Sequence, residues 1–443
     1  MKNKQYILIL TVFIFTAGVF MSGCASQPGG LLYDLNTDTG SALPYPNASF
    51  AVISDVHIFD DSLGTNEATF VKLMETSNKL FPESIPFLEA AINEIIASKV
   101  KFVLISGDLT KDGEQLNHQV LSERLKRLTD ANIAVYVTPG NHDVNSGAAF
   151  RYLPNRKLPV PMVTAGEFAE IYADYGYKAA IMRDNESLSY VAEPVEGLWL
   201  LSVDACRHRD NNPRSNPHTS GRIRQRTLDW ITHVLYEAHI KKKAVMVLMH
   251  HGIVEHIEGQ AERSKAFLVN DYINFGKFLS SWNVRAAFTG HYHIQSIARA
   301  DYSGKFIYDI QTASLVTPPC SIRYVNINNN TMNINSHSML DRLYPGTDYA
   351  DNVRSRIRNI YLNNTAKSLK GKCSDADFEI ISNARADADT AAAYGEKDSS
   401  KRKRLDISMF GTKGRSAIKK QLDMIEILWK DIPPEDNNVS LKL

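Results

Sequence analysis

Five short clusters of Asp, Asn and His residues hold most of the chemistry that this sequence can do. They are Asp55-Val56-His57, Gly107-Asp108, Gly140-Asn141-His142-Asp143, His250-His251 and Gly290-His291-Tyr292-His293. Oxygen and imidazole donors without a thiolate suit divalent Mn, Fe or Zn. A carboxylate such as Asp108 can bridge two cations, and bound cations lower the pKa of a water molecule to about 7. We therefore predict two divalent metal ions that prepare water for attack on an anionic substrate.

Each cluster directly follows a short apolar run. The runs cover residues 50–54, 101–106, 134–138, 244–249 and 284–289. Runs of this length that are rich in Val, Ile and Phe are typical of buried strands. Because ligands of open α/β sheets bind beyond the carboxyl ends of the strands, we expect all five clusters to meet at one edge.

Amphipathic segments between the runs predict helices that pack on a sheet. They cover residues 85–98, 114–130, 227–238 and 271–281. Strands that alternate with helices indicate an α/β fold. Residues 305–310 and 321–327 have the character of strands without intervening helices, which predicts an antiparallel edge or a second sheet.

With all five clusters in this order, the sequence resembles the calcineurin-like metallophosphoesterase superfamily. The family pattern is Asp-x-His, Gly-Asp, Gly-Asn-His-Asp/Glu, His and Gly-His-x-His. Residues 198–204, Gly221 and Leu228-Asp229-Trp230 are similar to the branch with cyclic-nucleotide and glycerophosphodiester phosphodiesterases. The resemblance covers about residues 49–338. It implies a four-layer α-β-β-α sandwich of two mixed β-sheets flanked by helices.

The resemblance also implies a role for each residue of the clusters. The first metal ion would be held by Asp55, His57, Asp108 and His293. The second would be held by Asp108, Asn141, His250 and His291. His142 would donate a proton to the leaving group or stabilise a phosphoryl oxygen, and Asp143 would orient the imidazole of His142.

Two further residues have more than one interpretation. His250 and His251 are adjacent, and neighbours along an extended chain point apart. The family pattern favours His250 as the ligand, which leaves His251 behind the ligands or in contact with phosphate. Asp204 ends a strand-like run and either supports the site or caps a loop.

The implied activity is hydrolysis of a phosphoester by a metal-activated hydroxide, with phosphodiesters ahead of monoesters. One alternative is a phosphomonoesterase or a nucleotide or lipid-headgroup pyrophosphatase. Another, from a different class, is a non-catalytic surface binding lipoprotein on the same scaffold. The net charge of +1 gives no sign of a nucleic-acid partner, and the oligomeric state stays open.

The N-terminus predicts export. Lys2 and Lys4 precede an apolar stretch at residues 6–20, and Met21-Ser22-Gly23-Cys24 resembles a bacterial lipobox. Residues 1–23 are then a lipoprotein signal peptide, Cys24 is lipidated, and residues 24–48 form a flexible tether. We expect an enzyme anchored by lipid to a membrane of the bacterial cell envelope. The sequence does not indicate which leaflet carries it. A plain signal peptide or an uncleaved anchor is the alternative.

Two insertions and the C-terminus complete the chain. The insertions, at about residues 58–82 and 144–197, predict lids or substrate walls. In the second, Tyr152, Tyr172, Tyr175, Tyr177 and Arg183 either contact substrate or pack a local core. Residues 339–443 predict a mainly helical region of unknown role, with helices at residues 350–366, 374–396 and 415–429. Cys206, Cys320 and Cys373 predict buried thiols.

Overall fold

The computed structural model describes Tyr33 and residues 40–443 and contains two large β-sheets. The strands are β1 (Ala48–Ile53), β2 (Phe102–Ile105), β3 (Ala134–Val137), β4 (Phe150–Tyr152), β5 (Lys157–Pro159), β6 (Met182–Arg183), β7 (Tyr190–Val195), β8 (Leu198–Val203), β9 (Ala244–Met249), β10 (Ala286–Thr289), β11 (Ser296–Tyr302), β12 (Lys305–Gln311), β13 (Ser321–Asn328), β14 (Thr331–Ser338) and β15 (Val439–Lys442).

The helices are α1 (Ala68–Met74), α2 (Ser84–Ser98), α3 (Gln115–Asp130), α4 (Ala165–Ile171), α5 (Gln225–Ile240), α6 (Gln260–Arg263), α7 (Tyr272–Ser281), α8 (Leu340–Leu343), α9 (Tyr349–Leu369), α10 (Asp375–Tyr394) and α11 (Arg415–Trp429). Every predicted strand and helix lies within three residues of these bounds. Their agreement follows from strong apolar periodicity in each segment.

The first sheet has the order β15-β14-β13-β1-β2-β3. Strands β1, β2 and β3 are parallel, with Ile53 opposite Ile105 and Ile105 opposite Val137. Their carboxyl ends therefore lie level at one edge, where the first three clusters begin. Strands β13, β14 and β15 continue the sheet in antiparallel fashion.

The second sheet has the order β11-β12-β10-β9-β8-β7-β6. Its centre, from β8 through β9 and β10 to β12, is parallel. Its two edges are antiparallel. The last two clusters follow β9 and β10 and emerge from the middle of this sheet.

The two sheets pack face to face through a shared apolar core. Phe50 of the first sheet contacts Phe288 of the second edge to face, with ring centroids 5.3 Å apart. On β9, Met246 and Leu248 belong to this inner core, whereas Val245 and Val247 pack in a separate core with α5 and α7. That alternation is the period of two expected of a strand buried on both faces. The predicted sandwich of two mixed sheets flanked by helices is confirmed.

The C-terminal region is mainly helical, as predicted, but it ends in a strand. Helices α9, α10 and α11 follow β14, and β15 then returns to pair with β14 from Ile334 to Thr331. The sequence analysis did not predict this strand. The region is therefore joined to the first sheet at both of its ends.

The predicted signal peptide, Cys24 and most of the tether lie outside the described residues. Across residue 33 and residues 40–443, no helix combines the length and the apolar character needed to cross a membrane. Cys206, Cys320 and Cys373 are free thiols. Cys320 and Cys373 are buried, as predicted, and Cys206 is half-buried.

Candidate metal centre

The loops after β1, β2, β9 and β10 bring six of the predicted ligands into two groups that share Asp108. The first group is Asp55, His57, Asp108 and His293, and the second is Asp108, His250 and His291. Within each group the ligand atoms all lie within 4.8 Å of one another. Two cations that share a carboxylate lie about 3.5–4 Å apart, which fits two such adjoining groups.

Asn141, from the loop after β3, completes the second group with a neutral oxygen. Its Oδ1 lies 3.2 Å from Nε2 of His250, and its side chain is buried. The next residue, His142, donates its backbone N–H to Oδ1 of Asp108 at 2.9 Å. The structure thus brings all seven residues that were predicted as metal ligands to one place.

Hydrogen bonds to backbone carbonyls orient three of the four imidazoles. Nδ1 of His57 donates to the carbonyl of Thr110 at 3.1 Å, and Nδ1 of His250 donates to that of Ser106 at 2.8 Å. Since a carbonyl can only accept, Nδ1 carries a proton in each ring, and Nε2 is the nitrogen that faces the centre and can bind a cation when it is deprotonated. His291 is reversed, because its Nε2 faces the carbonyl of Ala266 at 3.3 Å. These rings are prepared to bind cations.

Five of the seven residues have left-handed backbone conformations. The φ angles are 48° for Asp55, 45° for His57, 48° for Asp108, 72° for His291 and 59° for His293. Such conformations are uncommon for residues with a side chain, cost of order 1–3 kcal/mol each, and concentrate at functional sites. The surrounding fold holds these conformations, and they occur at the residues whose side chains meet in the two ligand groups.

Two glycines of the clusters are required by close approach between loops. A Cβ on Gly140 would collide with the backbone and carboxylate of Asp108. A Cβ on Gly290 would collide with Ser54 Oγ and lie 2.5 Å from Oδ2 of Asp55. Gly140 therefore lets two neighbouring loops of the first sheet meet, and Gly290 lets a loop of the second sheet approach the first.

The electrostatics of the centre favour cations. Burial alone would raise the pKa of Asp108, but His250 and His142 hold it well below its usual range. Burial alone would lower the pKa of His250, but Asp108 raises it to about 9. Burial lowers the pKa of His57 and of His291 well below the usual value, which keeps these imidazoles neutral. The ionised carboxylate of Asp108, the neutral imidazoles of His57 and His291, and the ring of His250, whose extra proton a cation would displace, form a donor set that fits two divalent cations.

Asp112, and not Asp143, contacts the imidazole of His142. Nδ1 of His142 lies 2.7 Å from Oδ1 of Asp112, whose other oxygen pairs with Lys111. Burial would raise the pKa of Asp112, but Lys111 and His142 lower it to about 2. The expected orienting role of Asp143 is therefore corrected. Its carboxylate accepts N–H bonds from Leu109, Thr110 and Gly140 and so braces the two ligand loops.

His251 and Asp204 lie behind or away from the centre. His251 is buried, its ring centroid lies 4.5 Å from that of His291, and its Nε2 donates to the carbonyl of Thr219 at 2.9 Å. It supports a ligand from behind. Asp204 contacts Nε2 of His208 at 2.9 Å and accepts the N–H groups of Leu188 and Cys206, so it organises a loop.

A cavity of about 470 Å³ lies beside the centre, and three parts of the chain line it. Asp108, His142, His291 and His293 form the side of the centre. The first insertion contributes Asn78 and Lys79. The C-terminal helices contribute Tyr361 of α9, Asp389 of α10 and Leu428 of α11, among others. The sequence analysis missed this part of the site, because no local pattern shows that a distant helix will reach the clusters.

The second insertion packs on the protein instead of lining the cavity. The Tyr172 hydroxyl donates to Nδ1 of His118 at 2.8 Å, because Nε2 of that ring donates to the carbonyl of Asp143, and Tyr175 donates to the carbonyl of Ser122. Tyr152 belongs to a small aromatic cluster, and Tyr177 is buried in the main core. None of these residues, nor Arg183, lines the cavity. Of the two interpretations left open for them, the structure favours packing.

One family of known proteins matches the part of the chain that carries the clusters. The sequence profile of the calcineurin-like phosphoesterases matches residues 48–295, more than half of the chain. No curated protein matches it. A dimetal phosphatase from Danio rerio is 15% identical with a TM-score of 0.45, over 67% of this chain and 96% of that one. A purple acid phosphatase from yellow lupin (Lupinus luteus) seeds is 10% identical with a TM-score of 0.42, over 68% of this chain and 52% of that one.

Proposed function

The chain belongs to the calcineurin-like phosphoesterases, and we propose that it hydrolyses a phosphodiester with two divalent cations bound at the seven clustered residues. The observation that carries the proposal is the pair of ligand groups that share Asp108, with His142 beside them. The enzyme is thereby a metal-dependent phosphoester hydrolase. The preference for diesters and the identity of the cations (Mn, Fe or Zn) are the finer parts of the proposal.

Charge balance suits an anionic substrate. The seven ligands include two carboxylates, on Asp55 and Asp108, and otherwise an amide and imidazoles, which are neutral when they bind a cation. When bound, the two cations would supply net positive charge to the phosphoryl group and lower the pKa of a water molecule. Asn141 contributes an oxygen without a charge, so it holds a cation without cancelling the attraction for substrate.

His142 is placed to move a proton at the leaving group. Its Nδ1 is held by Asp112, and its Nε2 is directed toward the cavity, 4.0 Å from Oδ2 of Asp108. Burial would lower the pKa of His142, but Asp108 and Asp112 raise it above the usual value. A protonated Nε2 can donate to the departing alkoxide oxygen, and Asp112 stabilises the imidazolium before that proton is transferred.

The cavity supports a diester more than a monoester. A diester has an organic group on each side of phosphorus, and this cavity extends from the centre past Phe267 and Tyr292 to Leu428. Those side chains offer apolar and aromatic surface to an organic group. A phosphate that carries a single ester would leave much of this surface without contact.

The test compares two chromogenic substrates on the metal-loaded enzyme. We expect bis-p-nitrophenyl phosphate to have a kcat/KM at least about tenfold above that of p-nitrophenyl phosphate. The reverse order would replace the diester preference with the phosphomonoesterase alternative. Cleavage of neither substrate, nor of a pyrophosphate panel, by protein that holds two cations would leave a binding protein on this scaffold.

The location of the enzyme is proposed from the sequence alone. Cys24 follows a signal-peptide pattern, and lipidation there would hold the catalytic domain on a membrane of the cell envelope. Metabolic labelling with an alkyne fatty acid tests this in a bacterial host. We expect label on the wild-type protein and on the control Cys373→Ser, and none on Cys24→Ser. Equal label on Cys24→Ser would contradict the proposal.

A further inference from the structure

The first insertion brings a cation, Lys79, to the metal centre, although no cluster contains it. Nζ of Lys79 lies 2.9 Å from Nε2 of His57. Burial lowers the pKa of Lys79, and the carboxylates of Asp108, Asp112 and Asp55 act against that effect. Lys79 lines the cavity together with His142 and the histidines of the last cluster. An ammonium group thus borders the space in which a substrate must lie.

Lys79 and a metal ion use the same lone pair of His57. Because Nδ1 of His57 donates to the carbonyl of Thr110, only Nε2 can accept the ammonium proton or bind a cation. A cation held by this nitrogen would therefore displace Nζ of Lys79 from the ring. Among the nearby acceptors, Asp112 already holds Lys111 and His142, and Asp108 belongs to both ligand groups. Asp389 of α10 also lines the cavity, and a phosphoryl oxygen of a bound substrate would offer the ammonium a further acceptor there.

The backbone of Lys79 is fixed on both sides, so its side chain stays at the cavity. The N–H of Lys79 donates to Ser77 Oγ at 3.1 Å, and that of Leu80 donates to the carbonyl of Val316 at 2.7 Å. Phe81, directly after them, is buried in the aromatic cluster with Phe59 and Phe70. The ammonium can therefore change its partner without moving away from the site.

Helix α9 of the C-terminal region also holds this segment. The guanidinium of Arg356 donates to the carbonyls of Met74 and Ser77 at 3.0 and 3.2 Å. The side chain of Asn78, next to Lys79, contacts the hydroxyl of Tyr361 one turn further along the same helix. These bonds connect a helix outside the family match to the residue nearest the first ligand group.

We propose that Lys79 binds a phosphoryl oxygen of the substrate in the metal-loaded enzyme, and that Arg356 is a positioning residue that acts through it. This inference rests on the proposed function and adds a substrate contact to that site. Lysine is a compact charge with three donors on a flexible stem, which suits an oxygen whose charge grows during the reaction. Through Arg356, the C-terminal region would also contribute to substrate binding.

The test measures the affinity of inorganic phosphate for the metal-loaded protein by calorimetry, with the metal content determined by mass spectrometry. We expect Lys79→Met to weaken phosphate binding on the order of tenfold or more, the effect of losing one charge-assisted hydrogen bond. Two cations per chain should remain bound. Lys79→Arg should recover most of the affinity, and Lys72→Met, an exposed lysine of the same insertion, should bind phosphate like the wild type.

Arg356 is tested by a double-mutant cycle. Arg356→Met should weaken phosphate binding severalfold when Lys79 is present and have no further effect in Lys79→Met, because both changes remove the same contact. Arg358→Met is the matched control. It breaks bonds to Asp387 and Asn383 of α10 but none to the Lys79 segment, so phosphate affinity should not change.

Several results would overturn the proposal. Phosphate binding in Lys79→Met equal to the wild type would show that Lys79 does not contact the anion. One cation in the wild type and two in Lys79→Met would make Lys79 a resident cation in place of a metal ion. Wild-type protein that binds two cations but no phosphate would also refute it. If phosphate binds as expected but no phosphoester is hydrolysed, the proposed function fails while the assignment of Lys79 stands.

Discussion

The core of the chain, residues 48–338, and its C-terminal region, residues 339–443, contribute to the same cavity in different ways. The core places buried carboxylates and imidazoles on loops with left-handed residues. The surrounding fold must hold these uncommon backbone conformations in place. The C-terminal region forms regular helices with small apolar cores of their own and reaches the cavity with single side chains. Reactive groups thus come from the core, while the C-terminal region adds shape and support around them.

Buried charges join the two regions. Lys397, after α10, pairs with Asp436 at 2.9 Å and with Asp431 at 3.2 Å. Asp436 accepts the N–H of Ile297 on β11, and the fully buried Arg323 of β13 donates to its carbonyl. The C-terminal region is therefore fixed to both sheets of the core, which is consistent with its place in the wall of the cavity.

The largest effect should come from the shared ligand of the core. Asp108→Asn removes the charge that both ligand groups use, and we expect the rate of bis-p-nitrophenyl phosphate hydrolysis to fall by more than about 100-fold. Changing a residue that only hydrogen-bonds to a metal ligand typically lowers activity by about 10–100-fold, and loss of a ligand itself should cost more. Asp204→Asn is the control, because that carboxylate organises a loop and should leave turnover close to the wild type. Thermal unfolding should show that both variants are folded. Near-full turnover of metal-loaded Asp108→Asn would refute the shared centre.

The second-largest effect should come from weakening the contact between the two regions. Lys397→Met leaves the buried carboxylate of Asp436 and the half-buried carboxylate of Asp431 without their lysine, and breaking a buried pair from one side costs about 3–5 kcal/mol of stability. We expect that loss in urea unfolding, with early proteolysis between α10 and β15. Lys401→Met, an exposed lysine nearby, should unfold like the wild type. Unchanged stability in Lys397→Met would mean that other contacts join the regions.

A smaller effect should appear in the core as pH falls. Burial lowers the pKa of His118 to about 4, against about 6.5 when unfolded. The unfolded chain gains a proton first, so His118 contributes stability that is full above pH 6.5 and decreases as pH falls toward 4, by about 3 kcal/mol in total. The free energy of unfolding of His118→Gln should fall less steeply across this range. The exposed control His239→Gln should keep the wild-type slope, and an unchanged slope in His118→Gln would contradict this cause.

Local pattern explains which features could be predicted. Each cluster directly follows an apolar strand, so its place at the sheet edge follows from spacing within a few residues. Asp112 was missed because its contact with His142 depends on the turn after Asp108, and Lys79 because it lies in an insertion without periodicity. The four-residue strand β15 pairs with β14, about 100 residues earlier, and the sequence of β15 does not indicate which strand it pairs with.

Anomalous diffraction from crystals grown with Mn²⁺ tests the paired centre most directly. The account predicts two manganese peaks per chain. One lies among Asp55, His57, Asp108 and His293, the other among Asp108, Asn141, His250 and His291, and the carboxylate of Asp108 contacts both. A single peak, or manganese bound elsewhere with Asp108 free of it, would contradict the account.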